Sequence, residues 1–181
     1  MSWTEVVAAD LRANWGQGGW RGFVSAMLYH PGFSAVFHHR VAQAMWTRGH
    51  KRIAQVLCKR NVVRTGCHLH LDARIGPGLS LPHPVGVVVG SGVVIGEGVT
   101  LYQNVTLGRG RGRSHYPFIE DRVVVYPQSV IAGGVRVGSG ATIGACCLVM
   151  DDVPAGAVVR GRASSVSGPG LADMDDHATP H

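Results

Sequence analysis

Two different hydrophobic patterns divide the chain near residue 62. Over residues 1–62 the apolar positions fall at helical spacing, and a capping box of Ser2 and Glu5 predicts that a first helix begins there. A second helix is predicted to end before Pro31, and a third ends at Gly49. A shorter fourth helix follows. The apolar residues behind the last two predictions are Phe33, Phe37, Val41, Ala44, Met45, Ile53, Val56 and Leu57.

From about residue 66 a repeat of six residues replaces the helical period. It cannot form the apolar face of an α-helix, whose period is 3.6 residues. A β-sandwich of valine-rich strands would not keep one phase for so long. The repeat is typical of a parallel β-helix, in which short strands stack coil on coil and bury each aliphatic residue above its counterpart. The aliphatic series is Val89, Ile95, Leu101, Leu107, Ile119, Val125, Ile131, Val137, Ile143 and Val149.

These patterns predict a mainly β protein, a parallel β-helix behind a short helical domain. We expect the helical domain over residues 1–62 and the β-helix over residues 63–163. Residues 164–181 have no periodic apolar face and are expected to form a loose tail.

The repeat is interrupted twice, and both interruptions predict loops. Leu81 and Val89 are eight residues apart instead of six, and the segment that holds the two extra residues reads LPHPVG, with His83 at its centre. The second interruption is Arg109–Phe118, where no core aliphatic occurs. Loops on a rigid scaffold are common places for functional groups, so these two segments are the first candidates for a site.

Composition narrows the class of protein. Only 15% of the 181 residues are charged and 45% are hydrophobic, which excludes a disordered chain. Glycine, at 26 residues, is about twice as frequent as usual, but it lacks the collagen period. No apolar run approaches about 18 residues, so no membrane span is expected. The net charge of +6 is not interleaved with aromatic residues, so nucleic-acid binding is not expected either.

The chain ends and the cysteines predict the compartment. Glu5 and Asp10 stand where an export signal would be basic and then apolar. The four cysteines show neither CxxC spacing nor the density of a disulfide framework. Both features favour a cytoplasmic protein.

His83 is the strongest candidate for chemistry. Free imidazole has a pKa of about 6.5 and is largely neutral at pH 7, so it can accept a hydroxyl proton. The prolines on both sides of His83 stiffen the loop and favour a fixed, exposed ring. These features make His83 a candidate general base, beside the alternative that its ring only caps the loop by hydrogen bonds.

Several segments resemble the hexapeptide-repeat acyltransferases, most closely serine O-acetyltransferase. They are HPGFSAVFHHRVAQAMW in the helices, then ARIGPGLSLPHPVGVVVG around His83, and LYQNVTLG before the second loop. The resemblance covers residues 31–161. It implies a left-handed β-helix, a homotrimer or dimer of trimers with acyl-CoA between neighbouring solenoids, and direct acyl transfer to a hydroxyl of a small acceptor. It implies no cofactor and no metal.

The resemblance also implies site residues. His83 matches the catalytic histidine, and His68 stands where the family has the carboxylate that pairs with it; Asp72, nearby on the same strand, is another possible partner for His83. Acceptor contacts are implied for His115, Tyr116 and, by a looser match, Gln17. The implied CoA-binding residues are Gly108, Arg109, Ala145, Arg160 and Arg162.

The chain departs from the serine enzyme at several of these positions. Pro82 replaces an acidic residue, and His115 and Tyr116 replace an Arg-His pair. On the donor side, a Gly-Ala-Gly segment becomes Tyr126-Pro127-Gln128, and Pro127 has no N–H to offer to pantetheine. The groups that hold a zwitterionic amino acid are therefore missing, and we expect an altered acceptor site.

The prediction is thus an acyl-CoA-dependent O-acyltransferase that moves acetyl from acetyl-CoA to the hydroxyl of a small acceptor and resembles serine O-acetyltransferase, but with an altered acceptor site. One alternative is a genuine serine O-acetyltransferase of cysteine biosynthesis. Less favoured alternatives are a solenoid without catalysis and a metal-dependent hydratase. The hydratase would draw its metal ligands from His68, His70, His83 and His115.

Overall fold

The computed structural model describes residues 1–16, 18–110 and 115–161. Gln17, Arg162 and the expected tail over 164–181 lie outside the described residues. Four helices come first: α1 (Trp3–Trp15), α2 (Gly19–Tyr29), α3 (Pro31–Thr47) and α4 (Lys51–Thr65). The strands that follow are β1 (His68–Leu69), β2 (Arg74–Ile75), β3 (Val88–Val89), β4 (Val94–Ile95), β5 (Thr100–Leu101), β6 (Thr106–Gly108), β7 (Phe118–Ile119), β8 (Val124–Val125), β9 (Val130–Ala132), β10 (Arg136–Val137), β11 (Thr142–Ile143), β12 (Leu148–Val149) and β13 (Val158–Val159).

The predicted capping box starts α1. The Ser2 hydroxyl accepts a hydrogen bond from the Glu5 backbone N–H at 3.3 Å, and the Glu5 carboxylate accepts one from the Ser2 N–H at 2.7 Å. The helix ends at Gly16, whose φ of 74° is a left-handed conformation that glycine adopts without strain.

The apolar residues that predicted α4 do not all face the core. The fourth helix is present as predicted, but Ile53 and Val56 are 54% and 58% exposed on it. The buried face of α4 instead carries Ala54 and Asn61. Asn61 donates a side-chain hydrogen bond to the Ala35 carbonyl of α3 at 2.9 Å, and this bond turns the polar residue inward. Helical spacing alone does not reveal such a pairing.

The solenoid consists of three parallel sheets. The first sheet has the order β1-β3-β6-β9-β12, the second β2-β4-β7-β10, and the third β5-β8-β11-β13. The chain visits the three sheets in turn, so equivalent residues pair in register one coil apart, as Val89 does with Leu107. Every member of the predicted aliphatic series is at most 5% exposed. The six-residue repeat is therefore confirmed as the core of a parallel β-helix.

Both interruptions of the repeat fall at corners of the solenoid. Ser80 pairs with Thr100 of the third sheet, and β3 belongs to the first, so His83 lies where the chain passes from the third sheet to the first. We call this edge of the solenoid the third–first corner. The described residues of the second loop, 109–110 and 115–117, lie between β6 and β7 at the first–second corner.

A buried ion pair joins the helices to the first coil. Asp10 and Arg40 are 1% and 6% exposed, and the Arg40 Nε atom lies 2.9 Å from Asp10 Oδ2. Asp10 Oδ1 also accepts hydrogen bonds from the backbone N–H groups of Gly78 and Leu79, at 2.8 and 3.1 Å. Arg40 donates to the carbonyl oxygen of Ile75 at 2.6 Å. The pair thereby fixes the helices beside the loop that carries His83.

Candidate active site

The loop around His83 is anchored on both sides while its ring stays exposed. Leu81 is fully buried, and its N–H donates to Asn14 Oδ1 of α1 at 2.9 Å. Gly32 of α3 lies so close to Leu81 that a Cβ atom there would collide with the Leu81 carbonyl oxygen. Pro84 is buried, and His83 is exposed. The helices thus hold the backbone, and the imidazole faces solvent.

His30 lies beside His83 and was not singled out in the sequence. It is the N-cap of α3, and its Nδ1 accepts a hydrogen bond from the Phe33 N–H at 3.1 Å. That bond leaves the proton on Nε2. Burial, and secondarily the nearby His83, lowers the pKa of His30, so its ring is neutral at pH 7. The signal in the sequence was its position directly before Pro31, because proline is common at the first position of a helix and the residue before it then caps that helix.

Two tyrosines continue from His83 along the third–first corner. The Tyr102 ring centroid lies 6.5 Å from that of His83, and Tyr126 stacks on Tyr102 at 5.1 Å with an angle of 6° between the planes. Each tyrosine directly follows a buried core aliphatic, Leu101 or Val125, on successive coils. We call this pair the tyrosine wall.

His68 and Asp72 lie on the first coil of the solenoid, where their contacts are with His70 and Trp46. His68 is exposed on β1, its ring lies 6.3 Å from that of His70, and no ring contact within the described ranges joins it to His83. Asp72 accepts a hydrogen bond from the Trp46 indole N–H at 2.8 Å. Its other carboxylate oxygen lies 3.7 Å from His70 Nδ1. Asp72 is thus held by the helices.

The expected acceptor residues of the second loop pack on the first–second corner. The Tyr116 ring lies against Gly92, and its hydroxyl accepts a hydrogen bond from Ser91 at 2.9 Å. The Arg109 guanidinium lies 5.9 Å from the centre of that ring. His115 packs against Gly134 of the next coil. One chain alone therefore does not bring His115 or Tyr116 to His83.

The expected donor residues divide between two corners. Gly108 and Arg109 lie with Tyr116 at the first–second corner, where the Gly108 carbonyl accepts from Gly133 N–H at 3.0 Å. Ala145 and Arg160 are exposed on the fourth and fifth coils, along the third–first corner that carries His83.

Neither a metal cluster nor a membrane helix occurs in the part of the chain that the structure describes. No three His, Cys, Asp or Glu side chains there lie close enough together to hold a metal ion. No described helix is both long and apolar enough to cross a bilayer.

Comparison with known proteins identifies a matching family and similar proteins. The bacterial transferase hexapeptide family (six repeats) matches residues 116–150. Serine acetyltransferase 4 of Arabidopsis thaliana is 36% identical over 149 residues, 81% of this chain and 42% of that protein. The serine acetyltransferase of Mycobacterium tuberculosis is 35% identical over 147 residues, 80% of this chain and 64% of that protein. The chain thus spans between about two fifths and two thirds of the length of these relatives.

A solved structure is also similar to this chain. The Neisseria gonorrhoeae serine acetyltransferase in complex with serine superposes with a TM-score of 0.79 at 34% identity, covering 90% of this chain and 68% of that one. The likeness confirms the predicted fold class, a left-handed parallel β-helix behind a short helical region. The chain therefore belongs to the hexapeptide-repeat transferases and, within them, to the serine acetyltransferase family.

Proposed function

We propose that this protein transfers the acetyl group of acetyl-CoA to a hydroxyl of a small acceptor, with His83 as the general base. The observation that carries the proposal is the exposed His83 ring on a loop whose backbone is anchored on both sides. A base held in this way meets the substrate hydroxyl without a search through conformations.

The reaction follows from that placement. His83 accepts the proton of the acceptor hydroxyl while the oxygen attacks the thioester carbonyl carbon. The carbon–sulfur bond then breaks, and the sulfur leaves with the proton that the imidazolium returns. The products are an O-acetyl ester and CoA, and neither a metal nor a redox cofactor takes part in this scheme.

The acceptor in this proposal is not serine. Pro82, His115 and Tyr116 stand in place of charged groups that match a zwitterionic amino acid, and His68 stands in place of a carboxylate. The alternative, a genuine serine acetyltransferase, is favoured by the overall identity to proteins of that name. Both functions predict release of CoA, and they differ in which acceptor is best.

An acceptor panel separates the two. We expect CoA release from acetyl-CoA with serine to be at least about tenfold slower than with the best of homoserine, other hydroxy-amino acids and sugars, because loss of one charged contact costs about 1.4 kcal/mol or more. The free thiol of CoA is the readout. If serine is the best acceptor on the panel, the protein is a serine acetyltransferase, and the altered acceptor site is refuted.

We also propose that three copies, or two sets of three, assemble to complete the site. Within one chain His83 and Tyr116 occupy different corners, so a neighbouring copy has to supply the second loop. The first sheet presents apolar side chains outward, Val88 at 38% and Leu148 at 66% exposure, as an interface would. In this assembly acetyl-CoA lies between neighbouring solenoids, with Gly108 and Arg109 of one copy opposite Ala145 and Arg160 of the next.

Sedimentation velocity at micromolar concentration measures the assembly. We expect a species of three or six copies, because a lone solenoid leaves these apolar side chains in water. A monomer as the only species would contradict the shared site.

A further inference from the structure

A straight column of residues runs from His83 along the third–first corner. Its members follow the third-sheet strands on successive coils and are stacked directly. The Tyr102 N–H donates to the Val125 carbonyl at 3.0 Å, and the Tyr126 N–H donates to the Ile143 carbonyl at 2.8 Å. The members of the column are Tyr102, Tyr126, Gly144 and Arg160.

The length of the column and the residues at its two ends suit a long thioester donor. Coils are spaced about 4.8 Å apart, so Arg160 lies about 14 Å beyond Tyr102, which is close to the span of a pantetheine arm. At the end of the column opposite Arg160, beyond His83, the helices α1 and α3 pack against Leu81. The Arg160 guanidinium is exposed, makes no hydrogen bond or ion pair within the described residues, and suits the phosphates at the far end of CoA.

The tyrosine wall occupies the half of this column nearest His83, beside a position that lacks a backbone donor. Pro127 next to Tyr126 has no N–H. Tyr126 is 41% exposed, and Gly144 on the next coil presents no side chain over it. The outer face of the stacked pair is therefore open to a ligand that lies along the corner.

We infer that Tyr102 and Tyr126 position the pantetheine arm of the donor. The arm alternates planar amides with methylene groups. A stacked pair of phenol rings offers flat apolar faces to both of these, and hydroxyl groups to the amides. In this chain, aromatic contact takes the place of a backbone hydrogen bond to the donor. The inference rests on the proposed use of an acyl-CoA donor.

Binding of CoA by the full chain tests the wall without requiring turnover. We expect Tyr126→Gly to weaken the calorimetric Kd of CoA about tenfold, a loss typical of removing an aromatic contact. The KM of acetyl-CoA is expected to rise by a similar factor, while the KM of the acceptor and the ranking of acceptors stay the same. Tyr126→Phe keeps the ring, so its Kd is expected to lie between those of the wild type and Tyr126→Gly.

Trp20→Ala is the matched control, because Trp20 is an aromatic residue that is 75% exposed on α2, which is not part of the column. Its Kd is expected to equal that of the wild type. An unchanged or tighter Kd in Tyr126→Gly, or a rise in the acceptor KM alone, overturns the inference. If the wild type binds no CoA, the proposed donor is wrong, and the inference fails with it.

Sedimentation velocity of each variant shows whether the substitution has changed the oligomeric state. If Tyr126→Gly sediments differently from the wild type, the Kd of CoA is measured for Tyr126→Leu instead, because leucine fills similar space without an aromatic face. A Kd at least threefold weaker in Tyr126→Leu supports the wall, and an unchanged Kd overturns it.

Discussion

Replacing His83 with alanine is expected to lower kcat/KM by a factor of about 10²–10⁴, the usual contribution of a general base. The physical reason is that no hydroxyl of an alcohol is ionised at pH 7, so attack on the thioester needs a base within hydrogen-bonding distance. Steady-state rates of CoA release, with the best acceptor of the panel, measure the loss.

The same variant is expected to keep its fold and its donor affinity. The His83 ring is exposed and outside the stacked core, so its removal opens no cavity, whereas the neighbouring Leu81 is fully buried. Thermal unfolding and the Kd of CoA check this. An alanine variant with full activity would leave the reaction without its base and would contradict the proposed mechanism.

His68→Asp is a companion variant for the same step. The imidazolium that forms at His83 is better stabilised by a carboxylate than by a second imidazole. If His68 of the assembled protein serves His83, an aspartate there should leave the rate unchanged or raise it. A rate that falls as far as in His83→Ala would contradict that role.

The second large effect is expected from Asp10→Ala, which should lower the free energy of unfolding by about 3–5 kcal/mol. The substitution leaves the buried guanidinium of Arg40 without its counter-ion. It also removes the acceptor of two backbone N–H groups, those of Gly78 and Leu79. An unpaired buried charge and unsatisfied buried donors are among the most destabilising changes known.

Denaturant unfolding of Asp10→Ala beside Glu5→Ala measures this effect. Glu5 is an exposed carboxylate in the same helix, and its loss removes one capping contact, for which about 1 kcal/mol is expected. If Asp10→Ala is no less stable than Glu5→Ala, the ion pair does not hold the helices to the first coil.

The solenoid could be predicted because its signal is local and repeated. Each core position, such as Leu101 or Ile131, needs only an aliphatic residue at a fixed spacing, because every coil stacks on its neighbour in the same way. The loop at His83 could be predicted for the same reason, since two extra residues break a strict period. The faces of α4 could not, because which side is buried depends on the partner helix and on bonds such as that from Asn61 to Ala35.

The surroundings of His83 were harder to predict, because they come from distant parts of the chain. His30 arrives from the start of α3, and Tyr102 and Tyr126 meet only because successive coils stack. The relation of His83 to His115 and Tyr116 depends on how copies assemble, which no spacing within one chain encodes.

The most direct test of the proposed function follows an isotopically labelled acetyl group. Wild-type protein and His83→Ala are incubated with labelled acetyl-CoA and the best acceptor, and the products are identified by mass spectrometry. The proposed function predicts that the wild type yields the labelled O-acetyl ester together with an equal amount of CoA, and that His83→Ala yields almost none. Labelled acetate in place of the ester, or equal ester from both proteins, would contradict it.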